Sequence, residues 1–133
     1  RDLVKRAERF ELNLLLKPHA GITGEPESLT TLIRDVGGFR IGTCPSFVAA
    51  GATGDPAGYL KAVTPYASAV VAQTGKIGPK GEHPAYDLHA CVEALRAVGY
   101  DGSVAIEPTD GDVMEQIGLA RAALAELLET ENA

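Results

Sequence analysis

Short uninterrupted apolar runs alternate along this chain with longer stretches whose apolar residues recur every three or four positions. The first kind reads as a strand covered on both faces, the second as a helix with one buried stripe. Leu3, Val4, Ala7 and Phe10 share one helical face, with Arg1, Lys5, Arg6 and Glu8 elsewhere, which predicts a helix over 2–9. Leu12–Leu16 follows as a strand leading into Lys17-Pro18-His19, and Ala20–Gly24 as a loop. Glu25-Pro26-Glu27 opens a second helix, with proline in its first turn and acids at the positive end of its dipole. Leu29, Leu32, Ile33 and Val36 form its buried stripe, and Gly37-Gly38 ends it.

The same grammar continues. Phe39–Thr43 is a second strand ending at Cys44-Pro45-Ser46-Phe47, and Val48–Gly54 is a loop of small residues. Asp55 caps the next helix with Pro56 at its first position; Tyr59, Leu60 and Val63 face inward and Thr64-Pro65 closes it. Tyr66–Gln73 is the third strand, and Thr74–Pro84 a loop long enough to signal function or mobility. Asp87 caps a helix whose Leu88, Cys91, Val92 and Leu95 keep the apolar spacing. Gly99 and Gly102 make a turn into Val104-Ala105-Ile106, a fourth strand that delivers Glu107 at its tip before Pro108 stops it. Thr109–Asp112 is a loop, and 113–129 a last helix with Val113, Ile117, Leu124 and Leu128 on one face.

A helix followed by four strand–helix units predicts an α/β fold with parallel strands and right-handed crossovers. In such folds the chemistry gathers where the strands end, which directs attention to Glu107.

Composition narrows the function. The net charge of −6 offers no basic stripe for nucleic acid, and no apolar run reaches the ~20 residues of a membrane span. No signal-peptide pattern is visible at Arg1-Asp-Leu-Val-Lys-Arg6. The chain opens without Met, which reads as a processed product, a fragment or a partial chain. Cys44 and Cys91 lack metal spacing and read as reduced thiols of a cytoplasmic protein.

The segments LLLKPHAGITGEPESLTTLI, IGTCPSF, DPAGYLKAVTPYASAVVAQTGKI and YDLHACVEALRAVGYDGSVAIEP, in that order and spacing, resemble the C-terminal half of the xylose isomerase-like TIM barrels. That superfamily holds the sugar phosphate isomerases/epimerases and endonuclease IV. The resemblance implies four parallel βα units, half of a (β/α)8 TIM barrel (strands five to eight), as a single domain over 1–133. A full barrel takes about 250 residues, and this chain has about half of that. Half a barrel leaves two open strand edges and an apolar inner face, so a partner is expected: another half-barrel chain, a copy of the same chain, or an N-terminal half.

The resemblance also implies a divalent metal such as Mn²⁺ or Mg²⁺, held by acids on strands five, six and eight and a His on strand seven. Its strand-five acid falls on Lys17, with His19 kept; the strand-six acid falls on Ser46; the strand-seven HxHxK pattern falls on Ala69-Val70-Val71-Ala72-Gln73. Glu107 alone remains at a ligand position. No metal is therefore expected in this chain alone. Lys17 supplies the positive charge instead, and the two residues are expected to form an ion pair across the mouth that offsets part of the cost of burial.

Glu107, Lys17 and His19 are the candidate catalytic residues, and Ser46, Gln73 and Lys76 the candidate substrate-binding ones, for a small sugar-like molecule. Each has a plainer reading. Glu107 serves equally as a paired strand-end acid, and His19 as a loop hydrogen-bonding group. Lys17 reads also as a Schiff-base amine, Cys44 as a nucleophile or a packed thiol, Lys76 and Lys80 as anion contacts or solvated loop residues, and His83 and His89 as surface groups. Three functions compete: a sugar isomerase/epimerase-like enzyme completed elsewhere, a non-catalytic binding or assembly subunit, and a metal-free lyase or aldolase using Lys17.

Overall fold

A computed structural model describes residues 1–129. Its elements are α1 (Asp2–Arg9), β1 (Leu14–Leu16), α2 (Pro26–Val36), β2 (Ile41–Thr43), α3 (Phe47–Ala52), α4 (Pro56–Val63), a 3₁₀ turn (Thr64–Tyr66), β3 (Ala69–Gln73), β4 (Glu82–His83), β5 (Tyr86–Asp87), α5 (Leu88–Ala97), β6 (Ser103–Glu107) and α6 (Val113–Glu129). β1 pairs with β2 and β3 with β6, both in parallel. Parallel bridges Thr43–Ala67 and Ser46–Val71 tie β2 to β3, so the strands lie in the order β1-β2-β3-β6. The parallel strand–helix alternation read from the sequence is present.

The core lies between this sheet and the helices. Leu29, Phe47, Leu60, Val63, Val70 and Cys91 are fully buried there, and Leu16, Ile41, Val104 and Ile106 pack against them. Because side chains alternate along a strand, Leu15, Gly42, Val71, Ala105, Gln73 and Glu107 belong to the opposite, concave face. Asp55 and Asp87 cap α4 and α5 by accepting from the backbone N–H of Gly58 and Ala90, as their positions predict.

Several expectations are corrected. Val48–Gly54 is not a loop: α3 begins at Phe47, nucleated by the Ser46 cap and anchored by the wholly buried Phe47 ring. The Thr74–Pro84 stretch contains β4, which forms an antiparallel hairpin with β5 outside the parallel sheet. Leu3 and Phe10 are 70% and 74% exposed while Val4 and Ala7 take the buried side of α1. Phe39 lies ahead of β2, wholly exposed, and the expected strands beginning at Leu12 and Tyr66 start later, at Leu14 and Ala69. Leu32 sits at the margin of its stripe. β6 is not covered on both faces, since Ala105 is exposed and Val104 and Ile106 are only half-buried. On α6 the inner face is Gln116, Ala120, Ala123 and Leu124, whereas Val113 is exposed and the side chain of Leu128 lies outside the described residues.

Candidate functional site at the strand tips

The C-terminal tips of the parallel strands define one rim. Lys17 follows β1 directly, Cys44 follows β2, and Gln73 and Glu107 are register partners at the ends of β3 and β6. The Lys17 ammonium donates to both Glu107 carboxylate oxygens, at 3.5 and 3.3 Å. β1 and β6 are the outer strands of four, about 14 Å apart in a flat sheet at ~4.8 Å per neighbour. Fully extended along the sheet, a lysine and a glutamate only just reach that far, but both side chains rise from one face of it, so the contact fits a sheet curled around that face. The cross-mouth pair read from the sequence is therefore formed.

Its expected burial is not. The Lys17 and Glu107 side chains are 54% and 43% exposed, so desolvation costs little and the attraction is largely screened. Glu107→Gln is expected to change unfolding free energy by less than about 1 kcal/mol. A urea titration at two salt concentrations checks this; a loss above ~3 kcal/mol points to a buried charge pair instead.

Cys44 lies within the field of both charges. Burial pushes its thiol up first, Lys17 pulls it down, and Glu107 pushes it up again. Cys91, inside α5, is pushed further, to about 12, by burial and then by Asp87. Both cysteines are free thiols. Because the folded protein keeps the Cys91 proton, stability is full below the unfolded thiol value near 9 and falls as pH rises towards about 12. Tyr59, pushed up to about 12 by burial and then Glu25, acts in the same sense above its ordinary value of 10. The expected result is a stability loss between pH 9 and 12 of up to about 1.4 kcal/mol per pH unit per group. It would be read from urea midpoints, with Cys91→Ala reducing the slope at the low end of that window.

The remaining candidates separate. Ser46 is 4% exposed and its hydroxyl accepts from the Ala49 N–H at 3.2 Å, so it is a buried helix cap rather than a free rim hydroxyl. His19 stands on an exposed loop, its backbone N–H and C=O both tied to the Thr23 hydroxyl. Lys76, at φ 63°, lies 3.8 Å from Asp110 on the loop after β6. Gln73 stays at the rim beside Glu107. Its backbone oxygen accepts the Tyr86 hydroxyl at 2.6 Å, and its side-chain oxygen is buried with no partner among the described residues. The backbone N–H of Thr74 donates to the Glu107 carbonyl at 3.0 Å, joining the two tips past the last register pair.

Tyr86 is the residue the sequence reading left without a role. Its hydroxyl fixes the β3 tip and its ring stacks on His83 at 4.2 Å. His83 is consequently half-buried rather than a surface group, and burial lowers its pKa before the Gly75 backbone raises it. An aromatic one position ahead of the Asp87 cap was the available signal.

Two large clefts lie off the rim. One of about 1010 Å³ is lined by the β4–β5 hairpin, His89 and Ala123. The other, about 840 Å³, lies against Pro18, His19, Glu25, Asp55 and Tyr59. Among the described residues no three His, Cys, Asp or Glu side chains converge where a metal ion could sit, and Glu107 already faces an ammonium group. The donor set does not fit a divalent ion. Among the described residues, no helix is long and apolar enough to cross a membrane.

The fold is shared, over about half their length, with solved structures of an epimerase-like protein and of two sugar epimerases. The chain is similar to a D-tagatose 3-epimerase-like protein at 20% identity and TM-score 0.73, across 98% of this chain and 52% of that one. It is similar to a D-psicose 3-epimerase solved in the presence of D-fructose at 18% identity and TM-score 0.74, across 93% and 51%. For the 3-keto-D-glucoside 4-epimerase YcjR from E. coli the values are 20% and 0.72, across 97% and 50%. The chain thus spans about half the length of the solved structures it matches. No family of known sequences and no curated protein matches it.

Proposed function

We propose that residues 1–133 are one domain, the C-terminal half of a TIM barrel (strands five to eight). It acts with a partner half as a cytoplasmic sugar phosphate isomerase/epimerase-like protein on a small sugar or polyol. The observation that carries this reading is the Lys17–Glu107 pair, held at the tips of parallel strands in a fold shared with three sugar epimerases. The metal site is degenerate in this chain. Glu107 is the base for a proton on a carbon beside a carbonyl, and the Lys17 ammonium stabilises the oxyanion that develops. Gln73 and Lys76 bind substrate hydroxyls, while Ser46 shapes the rim through its cap. One carboxylate serves one face of the substrate carbon, so inversion takes a second acid–base group, from His19 or from the partner half.

The test uses the native assembly with D-fructose in deuterated water. Deuterium appearing at carbon 3 by NMR, reduced at least about 100-fold in Glu107→Gln, supports the reading. No incorporation favours the second reading, a non-catalytic binding or assembly subunit. The capping duty of Ser46, which takes its hydroxyl off the rim, speaks for that alternative. Borohydride trapping of a carbonyl adduct at Lys17 would instead mark the metal-free lyase or aldolase chemistry.

A further inference from the structure

Tyr59, on α4, takes no part in the rim, and its environment is unusual. The residue is 3% exposed and its hydroxyl is buried, yet no group among the described residues bonds it. A hydroxyl held out of water without a partner weakens the fold, and buried polar groups as a rule have one. Tyr59 lines the cleft of about 840 Å³. Glu25 lines the same cleft and adds to the upward push that burial gives the phenol, which places the hydroxyl on the cleft side of the ring. Held at about 12, the phenol keeps its proton through the neutral range and is there to donate it.

Every wall of this cleft comes from this chain: the 18–24 loop, the start of α2, the end of α3 and the start of α4. The loop is closed on itself. The Thr23 hydroxyl ties both backbone groups of His19, and the Gly24 N–H donates to the Gly21 carbonyl at 3.0 Å. A Cβ on Gly24 would lie 2.8 Å from the His19 oxygen, so glycine lets that wall close. The charge is one-sided. Glu25 stands at the N-cap of α2, but its carboxylate makes no cap bond and no ion pair among the described residues. Asp55 uses Oδ1 on the Gly58 N–H at 2.9 Å and keeps Oδ2. No lysine or arginine lines the cleft. Two carboxylates repel an anion, and a neutral polyol would leave their charge unmatched.

We propose that this cleft is a binding site, separate from the strand tips, for a small protonated amine that also carries a hydroxyl. The ammonium pairs with the Glu25 and Asp55 carboxylates, and the ligand oxygen accepts from the Tyr59 hydroxyl. The site needs neither the Lys17–Glu107 pair nor the half-barrel reading.

Ethanolamine, propylamine and ethylene glycol are nearly equal in size and separate the two contacts. Each is titrated into the native assembly while NMR follows the backbone amides of Gly24, Glu25, Gly58 and Tyr59. Ethanolamine is expected to shift them saturably, and less tightly as salt is raised. Propylamine, which lacks the oxygen, binds about three- to tenfold more weakly, the worth of one neutral hydrogen bond, and ethylene glycol gives no saturation. Glu25→Gln and Asp55→Asn, the second keeping the helix cap, each weaken ethanolamine about two- to fivefold, as exposed charges do. Tyr59→Phe weakens ethanolamine by the same three- to tenfold and leaves propylamine unchanged. Its urea midpoint without ligand does not fall, because no bond within the protein is lost. A lower midpoint overturns the proposal by showing that the hydroxyl is already bonded in the folded chain. Equal binding of the three probes, no saturable shift, or an equal loss of both amines in Tyr59→Phe overturns it as well. None of these results bears on the epimerase-like reading, which deuterium incorporation and Glu107→Gln test separately.

Discussion

Phe47→Ala is expected to lower the unfolding free energy by about 3–5 kcal/mol, the cost of removing a fully buried aromatic ring whose site cannot collapse. The ring is wholly inaccessible and meets Tyr86 edge-on, with centroids 5.4 Å apart and planes at 63°. It anchors the first residue of α3, between the Ser46 cap and the core helices. A domain of this size has about 5–15 kcal/mol in total, so this one change removes a large fraction of it. Urea denaturation read by circular dichroism measures the loss. Phe47→Leu, which keeps most of the volume, is expected to recover the larger part; equal losses for the two variants would show that ring burial is not what holds α3.

The parts legible in the sequence are those fixed by local chemistry. Asp55 and Asp87 had to be caps because each precedes a helical stripe and offers an oxygen to a backbone N–H three residues on. Lys17 and Glu107 are expected together because the resemblance puts both at ligand positions of one shared site, Lys17 in place of an acid. The parts that were not legible depend on what lies across space. A helical period shows which side of α1 is apolar, not what covers it, so Leu3 and Phe10 were read as buried although this chain offers them no cover. Phe39, expected to open the second strand, stands ahead of it and wholly exposed, because an apolar run does not by itself fix where pairing begins. The ion pair was read as buried because a closed mouth was assumed, whereas four strands leave it half-open. α3 was hidden by its composition: Val48, Ala49, Ala50, Gly51 and Ala52 carry no polar–apolar period, and the evidence for a helix lay in Ser46 and Phe47 just ahead.

The two elements that escaped the sequence reading also lock each other, and that makes the sharpest prediction. A Cβ on Gly51 of α3 would lie 1.9 Å from the backbone oxygen of Ala85 and 3.3 Å from the Tyr86 Cβ, in the β4–β5 hairpin. Intrinsic preference argues for Gly51→Ala, since alanine in a helix gains about 0.5–1 kcal/mol over glycine. Overpacking against backbone argues the other way and wins, because no side chain can turn aside: the expected net loss is about 2–3 kcal/mol. Gly118→Ala in α6 meets nothing within 4 Å and is expected to gain the full helical preference, so one substitution changes sign between two helices. The loss at Gly51 should also reach the rim. Pushing the hairpin off α3 pulls the Tyr86 hydroxyl from the Gln73 carbonyl, which holds the β3 tip next to Glu107. Backbone amide shifts at Gln73 and Thr74 in Gly51→Ala, absent from Gly118→Ala, would establish that α3 and the hairpin position the rim. Unchanged shifts alongside a loss of stability would confine their role to the core.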